Sequence, residues 1–146
     1  IVPGVTAGVA VPAFAGVPVT HRGVSTGVTF ITGHEQDDAE SLDYETLARL
    51  KHTLVVFMAR AHLARFSARL QRSGMAPDTP AMLVENGSRP EQRVLSGTLE
   101  GLPDLVAAQT WTGPTLLVIG QVVTLSELCH WYSPRLEEHG LKLLAG

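Results

Sequence analysis

The apolar residues of this chain follow two different periods. Five runs are continuously apolar or alternate between apolar and polar positions, which is typical of β-strands. Between these runs, apolar residues recur every three or four positions, as they do on one face of an amphipathic helix. The predicted strands are 28–32, 53–58, 80–84, 92–98 and 115–119. Strands that alternate with helices predict an α/β domain in which helices pack on a mixed sheet.

Several predicted helices have recognisable starts or ends. The first covers about residues 5–13. Asp43 fits the N-cap of the second, Gly74 fits the stop after the third, and Pro103 fits the first turn of the fourth. The apolar faces of the second to fifth helices carry Tyr44, Leu47 and Leu50; Leu63, Phe66 and Leu70; Leu102, Leu105 and Val106; and Leu125, Leu128 and Trp131.

The charge of the chain excludes some classes of partner. Charged residues make up 17% of the 146 residues and the net charge is -3, so the overall charge attracts neither nucleic acid nor an anionic membrane. An anionic ligand would therefore need a local basic cluster. Residues 1–20 are uncharged, but no basic start precedes them and Pro3, Pro12 and Pro18 interrupt them. Neither a signal peptide nor a membrane span is predicted.

Sequence motifs exclude several kinds of chemistry. The single cysteine, Cys129, cannot form an internal disulfide; it predicts a reducing compartment and is expected to be buried. The six histidines stand singly, so no metal site is predicted. Small, hydroxyl and polar residues instead cluster at the turns 3–8, 16–22, 32–34 and 86–87. Ligands of α/β folds gather where strands end, although each stretch alone also fits a simple turn.

The order of these stretches resembles a known family. The segments are PGVTAG, GVPVTHR, FITGHE, TLVVFM, PAMLVENG, QRVLSGTL and PTLLVIGQVV, spread over residues 2–132. Together they resemble the second half of the uroporphyrinogen-III C-methyltransferases, a branch of the tetrapyrrole methylases. The THR segment followed by TGH distinguishes this branch from precorrin-4 methylases, diphthine synthases and ribosomal RNA ribose methylases of the same fold.

The resemblance implies a fold, an activity and partners. The fold would be the second α/β domain of a tetrapyrrole methylase, with helices on both faces of the sheet. The enzyme would use S-adenosylmethionine to methylate uroporphyrinogen III to precorrin-2, and it would be a cytoplasmic homodimer without nucleic-acid or membrane partners. Residues 1–24 would form an interdomain helix and loop, 25–134 the second domain and 135–146 a tail, and the first domain would be absent.

The resemblance also implies which residues contact the cofactor. They share positions at turns and strand ends, and they are Thr6, Ala7, Met58, Gly87 and Thr115. Thr115 is the weakest of these assignments by position. No metal ligand is implied.

Substrate contacts are implied for a second group of residues. Arg22, assisted by His21, would bind a substrate carboxylate, because a guanidinium matches a carboxylate as a planar fork. Met58 would line the substrate cleft as well as the cofactor site. Ala59 stands where the family often has glycine, and its methyl group would tighten that turn. No catalytic residue is implied on this chain, since the proposed acid and base groups of the family lie in the first half.

Two other interpretations stay open at this point. The chain is alternatively a binding or dimerisation module without catalysis, or part of a related methylase that acts on a later corrinoid. Because no convincing general base occurs in the sequence, we expect the isolated chain to be inactive and to bind the cofactor weakly at best.

Overall fold

A computed structural model of the protein describes residues 1–33 and 42–132. Five strands, four α-helices and two 3₁₀ segments follow one another in the predicted order. They are α1 (Ala7–Phe14), β1 (Val28–Thr32), α2 (Tyr44–Arg49), β2 (Thr53–Phe57), a 3₁₀ turn (Arg60–His62), α3 (Leu63–Arg72), β3 (Pro80–Glu85), β4 (Arg93–Thr98), α4 (Leu102–Ala107), β5 (Thr115–Ile119) and a 3₁₀-helix (Gln121–Glu127).

The strands form one mixed sheet in the order β1-β2-β5-β3-β4. β1 and β2 are parallel, whereas β5 runs antiparallel to both β2 and β3, and β3 pairs antiparallel with β4. The ends of β1, β2 and β3 therefore lie at the same edge as the starts of β4 and β5. We call this the upper edge and the opposite one, where β2 starts at Thr53, the lower edge.

Each face of the sheet carries its own apolar core. Successive side chains of a strand point to opposite faces, so Leu54 and Val56 enter one core while Val55 enters the other. The first core contains buried residues of α2, α3 and α4, and the second contains buried residues of α1 and the 121–127 3₁₀-helix. The predicted α/β fold with helices on both faces of a mixed sheet is confirmed.

Local sequence explains how α1 and α2 begin. The Thr6 hydroxyl caps α1 by accepting a hydrogen bond of 3.2 Å from the N–H of Gly8. Asp43 caps α2, as predicted, by accepting a hydrogen bond of 2.9 Å from the N–H of Thr46. Gly8 lets α1 approach the sheet, since a Cβ there would lie 2.6 Å from the ring of Phe30.

The end of the described chain departs from the prediction. The last helix is a 3₁₀-helix that ends at Glu127, and Leu128 and Trp131 are 82% and 63% exposed. Val122 and Val123 reach the core instead. The apolar spacing continues beyond the end of the helix, so it wrongly predicts that Leu128 and Trp131 are buried.

Three further side chains that were predicted to be buried are exposed. Leu105 is 44% exposed because α4 has only six residues, and Leu102 and Val106 fill its buried face. Leu50 is the C-cap of α2 and is 43% exposed. Cys129 follows the last 3₁₀-helix and is exposed, so the expectation that it is buried is wrong.

The predicted tail 135–146 lies outside the described residues, as do residues 34–41. Within the described ranges, no helix is both long and apolar enough to cross a bilayer. In the same ranges, no group of three or more His, Cys, Asp or Glu side chains is placed to hold a metal ion.

Candidate functional site

A cavity of about 430 Å³ opens at the upper edge of the sheet. The strand ends of β2 and β3, the start of β5 and the first turns of α1 enclose it. We call it the upper cavity. Most of its walls are apolar, and the lining residues are Ala7, Val11, Phe57, Met58, Val84, Asn86, Gly87, Ser88, Arg89, Pro114, Thr115 and Leu116.

The backbone around the upper cavity adopts an uncommon conformation. Met58, Asn86 and Ser88 line the cavity and have φ angles of 55°, 51° and 69°. A non-glycine residue in this left-handed region costs about 1–3 kcal/mol and persists only where its surroundings fix it. Among the described residues, one other non-glycine position, Lys51 at the lower edge, shares this conformation. Local strain is thus concentrated at the upper cavity.

The turn after β2 fixes Met58 at the mouth of the upper cavity. Its left-handed backbone ends the strand one residue earlier than the sequence predicted, and its side chain is 61% exposed. The next residue, Ala59, is buried against Gly33, where a Cβ would lie 2.7 Å from the Ala59 Cα. The N–H of Gly33 also donates to the carbonyl of Phe57 at 2.6 Å. β1 therefore buttresses the turn that presents Met58.

A buried carboxylate holds the loop before β5. The Glu85 side chain is 2% exposed and accepts hydrogen bonds from the N–H groups of Thr112 at 2.6 Å and Gly113 at 2.7 Å. Arg93, opposite Glu85 in the β3–β4 hairpin, donates to the same carboxylate at 3.1 Å. These contacts anchor the loop that leads directly into Thr115.

Arg93 ties the same loop to α4. Its guanidinium lies 4.6 Å from the centroid of the Trp111 ring and donates to the carbonyl of Thr110 at 2.9 Å. The Trp111 indole N–H in turn donates to the carbonyl of Val106 at 2.8 Å. The loop that leads into Thr115 is therefore held by Glu85 on one side and, through Arg93 and Trp111, by α4 on the other.

The electrostatics of Glu85 follow from these partners. Burial would raise the pKa of its carboxyl, but the N–H groups of Gly113 and Thr112 and the positive charge of Arg93 outweigh that effect. The pKa of Glu85 is consequently held below its ordinary value of 4.5. Glu85 is thus a structural anion, since its carboxylate oxygens are occupied by the loop and by Arg93.

The loop after β3 forms the remaining wall. The N–H of Asn86 donates to the carbonyl of Pro114 at 3.0 Å, which joins this loop to the start of β5. Gly87 packs against α1 so closely that a Cβ would lie 2.5 Å from the Val11 side chain. Any larger residue at position 87 would push α1 away from the sheet.

A second cavity, of about 350 Å³, lies at the lower edge. Its polar lining residues include Lys51, His52, Thr79 and Gln121. We call it the lower cavity, and it shares no lining residue with the upper one.

The sequence matches the family model described as Tetrapyrrole (Corrin/Porphyrin) Methylases over residues 1–103. The chain belongs to this family.

Individual relatives of this tetrapyrrole methylase carry more specific names. The chain is 43% identical over 132 residues to a siroheme synthase of Neisseria meningitidis serogroup C, which covers 90% of the chain and 27% of that protein. It is 45% identical over 130 residues to an S-adenosyl-L-methionine-dependent uroporphyrinogen III methyltransferase of Methanosarcina barkeri, which covers 88% of the chain and 51% of that protein. The chain thus spans about half, or about a quarter, of these relatives.

Solved structures show the same fold. The uroporphyrin-III C-methyl transferase of Thermus thermophilus, complexed with S-adenyl homocysteine, matches 86% of the chain and 53% of that structure, with a TM-score of 0.70 and 31% identity. A cobalt precorrin-4 methyltransferase matches with a TM-score of 0.75 at 20% identity, which bears on the fold alone.

The structure brings four of the five predicted cofactor residues of this methylase together. Ala7, Met58, Gly87 and Thr115 all line the upper cavity. The fifth, Thr6, immediately precedes Ala7 and caps α1. Their role as cofactor ligands stays a prediction, but they are close enough to contact a single ligand.

The two predicted carboxylate-binding residues lie elsewhere. The backbones of His21 and Ser25 exchange hydrogen bonds of 3.0 Å, and the Ser25 hydroxyl accepts a hydrogen bond of 3.0 Å from the N–H of Thr53. His21 and Arg22 therefore lie in a loop near the start of β2, whereas the upper cavity lies at its end. Four residue steps of about 3.3 Å each separate these ends by roughly 13 Å. The structure does not place His21 and Arg22 with Met58.

Sequence reasoning did not identify several residues of the site. Glu85 and Arg93 face each other in the hairpin register, and their opposite charges near the hairpin turn are the signal that would have found them. Arg89 had no such signal, because an arginine in a loop is ordinarily solvated. Its place at the upper cavity depends on how the loop folds back on α1.

Proposed function

We propose that this chain forms one wall of the S-adenosylmethionine site of a uroporphyrinogen-III C-methyltransferase, which converts uroporphyrinogen III to precorrin-2. The observation that carries the proposal is the convergence of Ala7, Met58, Gly87 and Thr115 on one cavity in a tetrapyrrole methylase. The names of the Methanosarcina barkeri and Thermus thermophilus relatives favour uroporphyrinogen III over a later corrinoid as the substrate.

The described residues fit a ligand of this kind. Small-molecule sites are mostly apolar and enclose about 300–1,000 Å³, and the upper cavity of about 430 Å³ lies in that range. Val11, Phe57 and Leu116 supply apolar walls, and Asn86 and Thr115 supply polar groups. A site of this composition suits a nucleoside-like ligand with few polar contacts.

The proposed role of this chain is to orient the reactants rather than to donate or accept protons. When bound, S-adenosylmethionine supplies the electrophilic methyl group, and the protein orients the reactants. Orientation of this sort is worth about 7–11 kcal/mol. Met58 at the mouth and Val84 at the wall would give a bound ligand apolar contacts. Among the described residues that line the cavity, none is an acid, a histidine or a lysine.

The proposal also includes a first domain, which forms the other wall of the site, and a second copy of the protein. Because the chain spans 51% of the Methanosarcina barkeri relative, we propose that a first domain supplies the missing wall and the base. The domain boundaries proposed from the sequence, at about residues 24 and 134, belong to this arrangement. A homodimer in the cytoplasm is proposed from the resemblance to the family alone. The exposed apolar side chains of Val5, which precedes α1, and of Val9, which lies on α1, offer surface for such packing.

A chimera tests the proposed function. This chain replaces the matching half of the Methanosarcina barkeri methyltransferase, and transfer of a labelled methyl group from S-adenosylmethionine to uroporphyrinogen III is measured. We expect turnover by the chimera and none by the isolated chain. A chimera that folds and binds S-adenosylhomocysteine but leaves uroporphyrinogen III unmethylated would refute the proposed substrate. Ordinary rates from the isolated chain would refute the need for a second wall.

A further inference from the structure

Arg89 is the one charged residue among the described residues that line the upper cavity. It is exposed, and within residues 1–33 and 42–132 its side chain has no ion-pair or hydrogen-bond partner. Arg93, only four positions further on, is by contrast fully engaged with Glu85, Thr110 and Gln109. Arg89 therefore offers the cavity an unused set of planar hydrogen-bond donors.

The loop that carries Arg89 is held in place before any ligand binds. The N–H of Arg89 donates to the carbonyl of Asn86, and its carbonyl accepts from the N–H of Gln92, each at 3.0 Å. The buried side chain of Gln92 accepts from the N–H of Ser88 at 2.8 Å and donates to the carbonyl of Phe14 at 3.2 Å. These bonds fix the strained backbone of Ser88, so binding of a ligand has to order the Arg89 side chain but not the loop that carries it.

The position of Arg89 bears on ligand binding because the overall charge of the chain is negative. The chain carries a net charge of -3, which repels anionic ligands, so a carboxylate needs a local cation. His21 and Arg22 lie at the lower edge and do not line the upper cavity. Among the residues that the structure describes, the cation at this cavity is Arg89, and a guanidinium recognises a carboxylate through paired hydrogen bonds.

We infer that Arg89 binds a carboxylate of the ligand in the upper cavity. This inference rests on the proposed function, and it moves the carboxylate-binding role from Arg22 to Arg89. Two sources present the same chemistry: the amino-acid end of S-adenosylmethionine and the acidic side chains of uroporphyrinogen III.

Ligand titrations of this chain followed by NMR test the inference and separate the two sources. The variants are R89Q, R89K and the control R72Q, which removes an exposed arginine of α3 outside the cavity lining. The ligands are S-adenosylhomocysteine, 5′-methylthioadenosine, which lacks the amino-acid end, and uroporphyrin III as a stable polycarboxylate. An unchanged spectrum of R89Q without ligand verifies its fold.

We expect R89Q to weaken binding of S-adenosylhomocysteine or uroporphyrin III by about 10- to 100-fold, the range for a hydrogen bond to a charged group. R89K should lose less, since lysine keeps the charge but not the fork. Binding of 5′-methylthioadenosine should stay within about twofold in every variant, since it has no carboxylate for Arg89 to hold.

Each outcome decides a separate point. A loss confined to S-adenosylhomocysteine assigns Arg89 to the cofactor carboxylate, and a loss confined to uroporphyrin III assigns it to the substrate. Equal affinities of R89Q and the unaltered chain for both ligands would overturn the inference alone. If the isolated chain responds to none of the ligands, the same titrations are made with the chimera, and a chimera that responds to none of them would overturn the proposed function as well.

Discussion

Replacing Glu85 by glutamine tests the idea that a buried anion holds the wall of the upper cavity. Glutamine keeps the size and one acceptor oxygen, so the N–H groups of Thr112 and Gly113 retain a partner. The new amide nitrogen, however, would replace the oxygen that accepts from Arg93 at 3.1 Å, and two donors would then face each other. Glu85→Gln therefore removes one ion pair and weakens two charge-assisted hydrogen bonds.

The magnitude follows from these contacts. Hydrogen bonds to charged groups are worth about 1.5–3 kcal/mol, and breaking a buried ion pair costs about 3–5 kcal/mol. Because the Arg93 side chain is 45% exposed and can turn to water, the lower end applies. We expect Glu85→Gln to lower the free energy of unfolding by about 3 kcal/mol at pH 7. The control Glu100→Gln, at an exposed position, should change it by less than about 0.5 kcal/mol.

Urea denaturation followed by circular dichroism at a series of pH values measures this effect. The folded state lowers the pKa of Glu85, so its stabilisation is fully present above the ordinary value of 4.5 and is lost as pH falls through the folded-state pKa. The difference between the unaltered chain and Glu85→Gln should thus be constant at neutral pH and shrink below pH 4.5. Equal stabilities at pH 7, or a difference that persists in acid, would refute the reasoning.

Two further substitutions probe how α1 is attached beside the cavity. Thr6→Ala removes the hydroxyl that caps α1 and should cost about 1 kcal/mol of unfolding free energy in urea; no loss would mean that water replaces the cap. Gly87→Ala places a Cβ within 2.5 Å of Val11 and should cost about 1–3 kcal/mol. The double variant Gly87→Ala with Val11→Ala should lose less than the two single variants added together, and strict additivity would contradict the proposed contact.

The strands were predictable because burial on both faces leaves a plain apolar signal. β2 and β5 are almost entirely buried, and a short continuous apolar run is typical of a strand that is covered on both faces. Where the core ends, the signal fails: Leu128 and Trp131 keep a helical spacing although no core remains to receive them. The spacing of apolar residues predicts which side chains a helix would bury, whereas their actual exposure depends on whether other elements pack against them.

The site was predictable only through the family resemblance. The sequence pattern placed Ala7 at a helix start, Met58 at the end of a strand and Gly87 at a turn, but it could not say which edge of the sheet each occupies. The sheet order decides that, since β5 inserts between β2 and β3 and brings their ends together at the upper edge. Arg22 was grouped with these residues by motif, yet its loop returns to the start of β1, which lies at the other edge.

The central claim is that the upper cavity of this chain binds the S-adenosyl group, and an amide-resolved NMR titration with S-adenosylhomocysteine tests it most directly. We expect shift changes that are largest at Ala7, Met58, Gly87 and Thr115 and absent at Lys51 and Gln121 of the lower cavity. Changes concentrated at the lower cavity, or none at saturating ligand, would contradict it.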